Sequence, residues 1–317
     1  MSDFKNIPSI DLADFNSGNS QLKTQFINQL GKAYETIGFV AVKNHGLSDD
    51  LCTNLYSEVQ GFFSLSEKEK RAYEIEGLGG QRGYVSFGKE HAKNKNEGDL
   101  KEFWHFGQTV TDGDAIKDQY PENIEVSELK NFNTIGVEVY EKLELAGRDI
   151  LRAIALYLSL DEYYFDTKIH NGNSILRPIH YPPITSEPKN AVRAAEHEDI
   201  NLITLLMGAS ADGLQVLNKS NEWISVTALP EQIVVNVGDM LQRLTNNKLK
   251  STTHRVVNPP REKWGTSRYS IPFFLHPRSE VSLECIESCV SIENPKHYSD
   301  ITAGAYLNER IKELGLK

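Results

Sequence analysis

Apolar residues in the first third of the chain recur at helical spacing and then merge into a continuous run. Phe26, Leu30, Ala33 and Ile37 mark one face of a helix, and GFVAVKNHGL (residues 38–47) reads as a buried strand ending in a His-Gly turn. A second helix is expected from about Asp49 to Phe63, and the charged run SEKEK after Leu65 opens a third. The stretch GLGGQRGYVSFG (77–88) is dense in glycine and reads as a loop of the kind that often carries function. A long amphipathic helix is expected over roughly Val126–Leu160. Ile135, Val139, Leu143, Ile150, Ile154 and Leu158 fall there on one stripe.

The pattern changes after about Ser174. Short β-rich runs follow one another: ILRPIHY, NLITLLM, GLQVL, WISVTAL, QIVVNVG, THRVV and RYSIPFFL. Pro, Gly and Asn separate them at intervals typical of a barrel or jelly roll. A closing helix is expected over Tyr306–Leu314. No internal repeat or low-complexity linker divides the chain. The expected architecture is therefore α+β, a single unit in which helices of the first half buttress a β core.

Composition narrows the function classes. With 39% hydrophobic and 25% charged residues the chain is globular, and no apolar run approaches the roughly 18–20 residues that span a bilayer. The opening MSDFKNIPSIDLADF lacks the basic and apolar regions of a secretory signal. Cys52, Cys285 and Cys289 make no disulfide framework, so a reducing cytoplasm is the expected location. Cys285 and Cys289 lack a nearby His or Cys pair to complete a zinc set. A net charge of −10 argues against nucleic acid. The most basic stretch, Lys89 to Lys101, also carries Glu90, Glu97 and Asp99. The expected partner is a small molecule rather than nucleic acid or membrane, and the oligomeric state stays open.

Candidate chemistry lies in the β half. Residues i and i+2 of a strand share a face, so His197 and Asp199 can both point into a barrel with Glu198 turned away. His254, in STTHRV, can supply a third ligand from another strand. Two imidazoles and one carboxylate suit Fe(II) and leave three coordination positions open. Further on, Arg268 and Ser270 share a face of the next predicted strand. A buried arginine needs an anion and pairs bidentately with a carboxylate, to which Ser270 can add a hydroxyl. A 2-oxo dicarboxylate held by iron at one end and by this pair at the other would fill such a site.

These segments resemble the 2-oxoglutarate/Fe(II) oxygenases of the isopenicillin N synthase-like family over nearly the whole chain. IPSIDLADF, GFVAVKNHGL, FFSLSEKEK and LKEFWHFG look like its N-terminal region; HEDINLITLL, GDMLQRLTN, KSTTHRVVNP and RYSIPFF look like its metal and co-substrate segments. The resemblance implies a distorted double-stranded β-helix core with flanking helices. It implies an N-terminal dioxygenase region at 1–125, buttressing helices at 126–172, the oxygenase core at 173–278 and a C-terminal segment at 279–317. It implies iron at His197, Asp199 and His254, the distal carboxylate of 2-oxoglutarate at Arg268 and Ser270, and Tyr181 as a further co-substrate contact. It also implies O2 as the oxidant and ascorbate as a stimulant. Substrate oxidation, with hydroxylation first among its forms, would accompany release of succinate and CO2.

Two departures stand out. Ile179 occupies a position where plant members often carry Asn, so a polar contact is missing or moved to His180. The interval from His254 to Arg268 is long and reads as an extended hairpin. In this family the mouth of the barrel is framed by segments that here hold Arg82, Tyr84, Phe103, His105 and Phe274. The expected substrate is a small soluble metabolite carrying a carboxylate or amine, and a mobile loop bearing Arg82 would close over an anionic one. An oxidase or cyclase of the same fold that needs no 2-oxoglutarate is the alternative, and a non-catalytic metal-binding barrel is a third.

Overall fold

The computed structural model describes residues 7–78, 81–90, 98–114, 117–188, 191–208, 212–226, 229 and 231–313. Its first elements are β1 (Ser9–Asp11), α1 (Leu12–Asn16), α2 (Ser20–Thr36), β2 (Phe39–Lys43), α3 (Asp49–Phe63) and α4 (Glu67–Arg71). Short polar side chains satisfy free amides where α2, α3 and α4 begin. Asn19 accepts from the Gln21 and Leu22 amides, Ser48 from Leu51, and Ser66 forms a reciprocal pair with Glu69. α2 stops before Gly38, whose φ of +74° is left-handed and where a Cβ would lie 2.2 Å from the Lys250 carbonyl oxygen.

β3 (Gly83–Val85) and β4 (Glu102–Gly107) follow, then α5 (Phe132–Tyr157) and the one-turn α6 (Asp166–Ile169). The second half contributes β5 (Ile175–Leu176), β6 (Ile179–Tyr181), β7 (Ala194–His197), β8 (Ile203–Met207), β9 (Leu214–Leu217), β10 (Trp223–Ser225) and β11 (Ile233–Val237). α7 (Asp239–Leu244), β12 (His254–Val256), β13 (Arg268–Leu275) and α8 (Ala303–Glu313) complete it.

Two sheets result. The larger runs β1-β2-β11-β8-β13-β5-β4-β3, with β6 joining β13 to β4; the smaller runs β10-β9-β12-β7. Together they form the distorted double-stranded β-helix of an α+β fold, and side chains of both line one cavity. Strand alternation places the site. On β13, Arg268, Ser270, Pro272 and Phe274 face the cavity. Ile271, Phe273 and Leu275 are fully buried on the other face, where α5 packs. The ring of Phe273 meets Tyr140 edge-on at 5.0 Å, and Gly147 lets α5 approach so closely that a Cβ there would fall 2.5 Å from Leu275. Pro272 is tolerated inside this central strand for a local reason. Its carbonyl accepts from the Arg177 amide, so its missing N–H faces the break between β5 and β6.

Three expectations change. The amphipathic helix is shorter than Val126–Leu160, because Asn133 folds back on the preceding chain, accepting from the Val126 amide at 2.9 Å and donating to the Ile124 carbonyl at 2.7 Å. The glycine-rich stretch is not loop throughout, since β3 lies within it; its Gly79 and Gly80 fall outside the described residues. The interval from His254 to Arg268 is not a hairpin. β12 pairs with β7 and β9, whereas β13 pairs with β5, β6 and β8, so the segment crosses from one sheet to the other.

Candidate metal and co-substrate site

β7 and β12 are antiparallel neighbours, and His197 stands directly opposite His254. Their rings lie 4.3 Å apart between centroids. The strand ends at His197, and the irregular segment that follows brings Asp199 to both imidazoles. Asp199 Oδ1 is 3.9 Å from His197 Nε2 and 3.6 Å from His254 Nε2. One ligand atom from each of the three residues falls within 4.8 Å of the others.

The surroundings fix which atoms face the common point. His197 Nδ1 lies 2.7 Å from the Ala195 carbonyl and His254 Nδ1 lies 3.1 Å from that of Thr252. A carbonyl only accepts, so each Nδ1 carries the proton and each Nε2 presents a lone pair. Asp199 Oδ2 accepts from Thr204 Oγ1 at 2.6 Å and Asn236 Nδ2 at 2.8 Å, which leaves Oδ1 directed at the imidazoles. Burial, together with the neighbouring His254, pushes His197 down to about 4, so it is neutral and able to ligate at neutral pH. Burial would raise the Asp199 carboxyl, but the two imidazoles and its two hydrogen bonds outweigh it and hold the group ionised. Glu198 turns from the triad, accepting from Thr253 Oγ1 at 3.1 Å. Burial and a hydrogen bond with Asp239 push its carboxyl up to about 7.

The triad opens on a cavity of about 550 Å³. Arg268, Ser270 and Tyr181 line it too. Arg268 stands opposite Tyr181 across the β13–β6 pair, with its guanidinium carbon 5.0 Å from the Tyr181 ring centre. Arg268 is 1% exposed, which places a permanent cation in a low-dielectric wall. The donor set and this cation fit a divalent metal and an anionic chelator together.

The five residues expected at the barrel mouth divide by strand parity. β3 and β4 pair with Gly83 opposite His105, Tyr84 opposite Trp104 and Val85 opposite Phe103. Phe103 and His105 therefore share one face of the sheet and Trp104 and Phe106 the other. Tyr84 falls on the helix-packed face, where its hydroxyl donates to Glu102 and its ring meets Phe62. Arg82 immediately precedes β3. It is buried and donates to the Gln81 carbonyl and to Gln108 Oε1, with Gly107 against its guanidinium. Neither is among the described residues that line the cavity, and Arg82 is tied down inside the fold rather than standing at the mouth as expected. His105 and Phe274 do line it. Phe103 stands behind Arg177, whose guanidinium carbon lies 4.4 Å from its ring and 5.0 Å from that of Phe274. His180 does not take up the missing polar contact of Ile179. It is held by Glu102 and Ser267 and stacks on Tyr269.

Several cavity residues carried weaker signals in the sequence. Arg177 was a lone charge in the strand-like run ILRPIHY, and Thr204 and Asn236 were polar interruptions in apolar runs. His276 continues the alternation of β13 two residues past Phe274. It lines the cavity, and its Nδ1–H donates to the Phe274 carbonyl at 3.2 Å, so Nε2 is an acceptor. Burial pushes it down to about 4. Gln81, Glu90 and Lys101 also line the cavity. Lys101 bridges Glu90 at 2.7 Å and Asp99 at 2.8 Å, and Arg177 pairs with Glu90 at 3.3 Å.

A jelly-roll cavity with an imidazole-imidazole-carboxylate face beside a buried arginine defines a class, the mononuclear non-haem iron oxygenases. Comparison with known proteins gives the family. Residues 7–128 match the model described as non-haem dioxygenase in morphine synthesis N-terminal, and residues 172–277 match the 2OG-Fe(II) oxygenase superfamily. The 2-oxoglutarate-Fe(II) type oxidoreductase ppzD of Metarhizium majus is 31% identical, covering 97% of this chain and 95% of its own length. A Caulobacter crescentus structure assigned to the 2OG-Fe(II) oxygenase family is 39% identical, with a TM-score of 0.87 over 97% of this chain and 98% of that one. A full-length Neurospora crassa protein, solved with α-ketoglutarate and thymine, is 30% identical with a TM-score of 0.86, covering 98% of both chains. The chain belongs to the 2-oxoglutarate/Fe(II) oxygenases of the isopenicillin N synthase-like family. It is an oxidoreductase whose cofactors are Fe(II) and 2-oxoglutarate, with O2 as oxidant. No helix among the described residues is long and apolar enough to cross a membrane.

Proposed function

We propose that His197, Asp199 and His254 hold the iron, and that Arg268, Ser270 and Tyr181 receive the distal carboxylate of 2-oxoglutarate. The substrate is a small, uncharged polar molecule that is hydroxylated. The observation that carries this reading is the convergence of two Nε2 lone pairs and one carboxylate oxygen on the same cavity as Arg268. When bound, the metal and 2-oxoglutarate supply the oxidising chemistry by reductive activation of O2.

The chain's own residues bind, orient and keep out water. Thr204 and Asn236 fix the Asp199 carboxylate, and the Ala195 and Thr252 carbonyls fix the two imidazoles. Arg268 and Ser270 set the depth at which a five-carbon dicarboxylate sits. The substrate end is walled by Phe274, Ile175, Arg177, His105 and His276. Its charges balance among the described residues, since Arg177 and Lys101 face Glu90 and Asp99. This balance, and the absence of Arg82 from the cavity, favour an uncharged substrate over a carboxylate. Phe274 offers a ring face, Arg177 a donor and His276 an acceptor. The thymine bound to the Neurospora relative is a small ring of that kind.

A panel of small polar metabolites, thymine among them, tests the reading by substrate-stimulated succinate release under Fe(II) and ascorbate. A compound that stimulates the wild type and loses that effect in Phe274→Ala supports it. Stimulation that survives both Phe274→Ala and Arg177→Ala places the substrate elsewhere.

A further inference from the structure

The co-substrate end of the cavity has a second buried arginine behind its wall. Arg193 immediately precedes β7 and is 2% exposed. Its guanidinium carbon lies 5.9 Å from the ring centre of Tyr181, the same ring that Arg268 approaches to 5.0 Å. Nη2 donates to the Thr266 carbonyl at 3.2 Å, two residues before Arg268, while Nε is buried without an acceptor. Among the described residues no carboxylate pairs with Arg193. Burial, and then the neighbouring charge of Arg268, lower its guanidinium below the ordinary arginine range.

Two like charges around one ring in a dry wall repel each other and forgo hydration, a cost that a bound anion lowers. The proposed clamp brings such an anion to Arg268. We infer that Arg193 is a positioning residue for the distal carboxylate of 2-oxoglutarate, acting from behind Tyr181 to make the site select a dicarboxylate over a monocarboxylate. The inference rests on the clamp reading given above. Arg193 acts in two ways: its charge adds to the potential at the carboxylate, and its bond to Thr266 holds the segment leading into Arg268. At an effective dielectric of about 20, a charge several ångströms away contributes on the order of tenfold in affinity.

The test uses full-length protein loaded with Co(II), so that binding is read without turnover. Dissociation constants are measured for 2-oxoglutarate and for 2-oxopentanoate, which has the same chain without the distal carboxylate. Arg193→Leu and Arg193→Gln should each weaken 2-oxoglutarate by about tenfold and leave 2-oxopentanoate within about twofold. Gln keeps a donor for Thr266, so its loss of selectivity isolates the charge. An unchanged ratio, or equal loss of both ligands, would overturn the inference. Arg268→Leu is the control. If it collapses the ratio while Arg193→Gln does not, the clamp stands and Arg193 has no part in it. If neither variant changes the ratio, the clamp reading fails as well.

Discussion

Thr204→Val removes one hydroxyl and nearly nothing else, and it should weaken the metal site without touching a ligand. Thr204 lies on β8, and its Oγ1 donates to Asp199 Oδ2 at 2.6 Å while accepting from Asn201 Nδ2 at 3.0 Å. Valine matches its shape. Asn201 keeps its bond to the Ile203 carbonyl at 2.8 Å, so the chief loss is the charge-assisted bond to a buried carboxylate. Such bonds contribute about 1.5–3 kcal/mol. Asn236 remains on the same oxygen at 2.8 Å and limits the reorientation. Together these give a loss of about 10–100-fold in metal affinity, the range seen when outer-shell partners are removed. Competition titration of Co(II) against a chelator reads this directly, and thermal melting of the metal-free protein separates it from misfolding. Thr204→Ser, which restores the hydroxyl, should recover most of the affinity. If the valine variant holds the metal as tightly as wild type, Asp199 is not positioned through Oδ2, and the account of the carboxylate's orientation is wrong.

Other predictions follow from the same geometry. Arg268→Leu should raise the 2-oxoglutarate requirement by tens- to thousands-fold, from about 2–5 kcal/mol for a buried charge-assisted pair. Arg268→Lys should recover only part, because an ammonium cannot form the fork; saturation kinetics checks both. Lys101→Met removes the cation shared by two buried carboxylates, leaving Glu90 with Arg177, and should destabilise the fold by about 3–5 kcal/mol in urea unfolding. Glu102 accepts from Lys70 and His180, each at 2.7 Å, and from Tyr84. Burial would raise its carboxyl, yet these bonds hold it below the usual glutamate range. A lowered carboxyl contributes stability above the unfolded value of about 4.3, lost as pH falls through the folded value. Glu102→Gln should therefore flatten the loss of stability below about pH 4.3 in urea titrations; an unchanged acid limb would exclude Glu102 as its source.

How much of this was legible in the sequence depends on what set each position. Alternation on RYSIPFFL placed Arg268 and Ser270 on one face, and the structure puts both at the cavity because β13 is a regular strand packed on α5. His197 and Asp199 converge for a different reason than simple alternation, since the strand ends at His197 and the irregular segment after it supplies Asp199. The mouth was harder to read. Tyr84 lies on the helix-packed face because β3 pairs in one register with β4, and a one-residue shift would have exchanged its position with that of Gly83 or Val85; Arg82, just before the strand, is held instead by the Gln81 carbonyl and Gln108. Arg177 and Arg193 were also hidden, since a charge in a β-rich run identifies neither its partner nor the face it occupies. His276 could have been found by carrying the alternation of β13 two residues further.

The triad is proposed to hold an iron whose oxidising power comes from 2-oxoglutarate. Simultaneous O2 uptake and succinate release from metal-stripped protein, before and after Fe(II) is returned, tests it most directly when done beside Asp199→Ala. Expected are no succinate without iron, about one succinate per O2 consumed with it, and none from the variant under either condition. Succinate formed without Fe(II), or at an undiminished rate by Asp199→Ala, would contradict it.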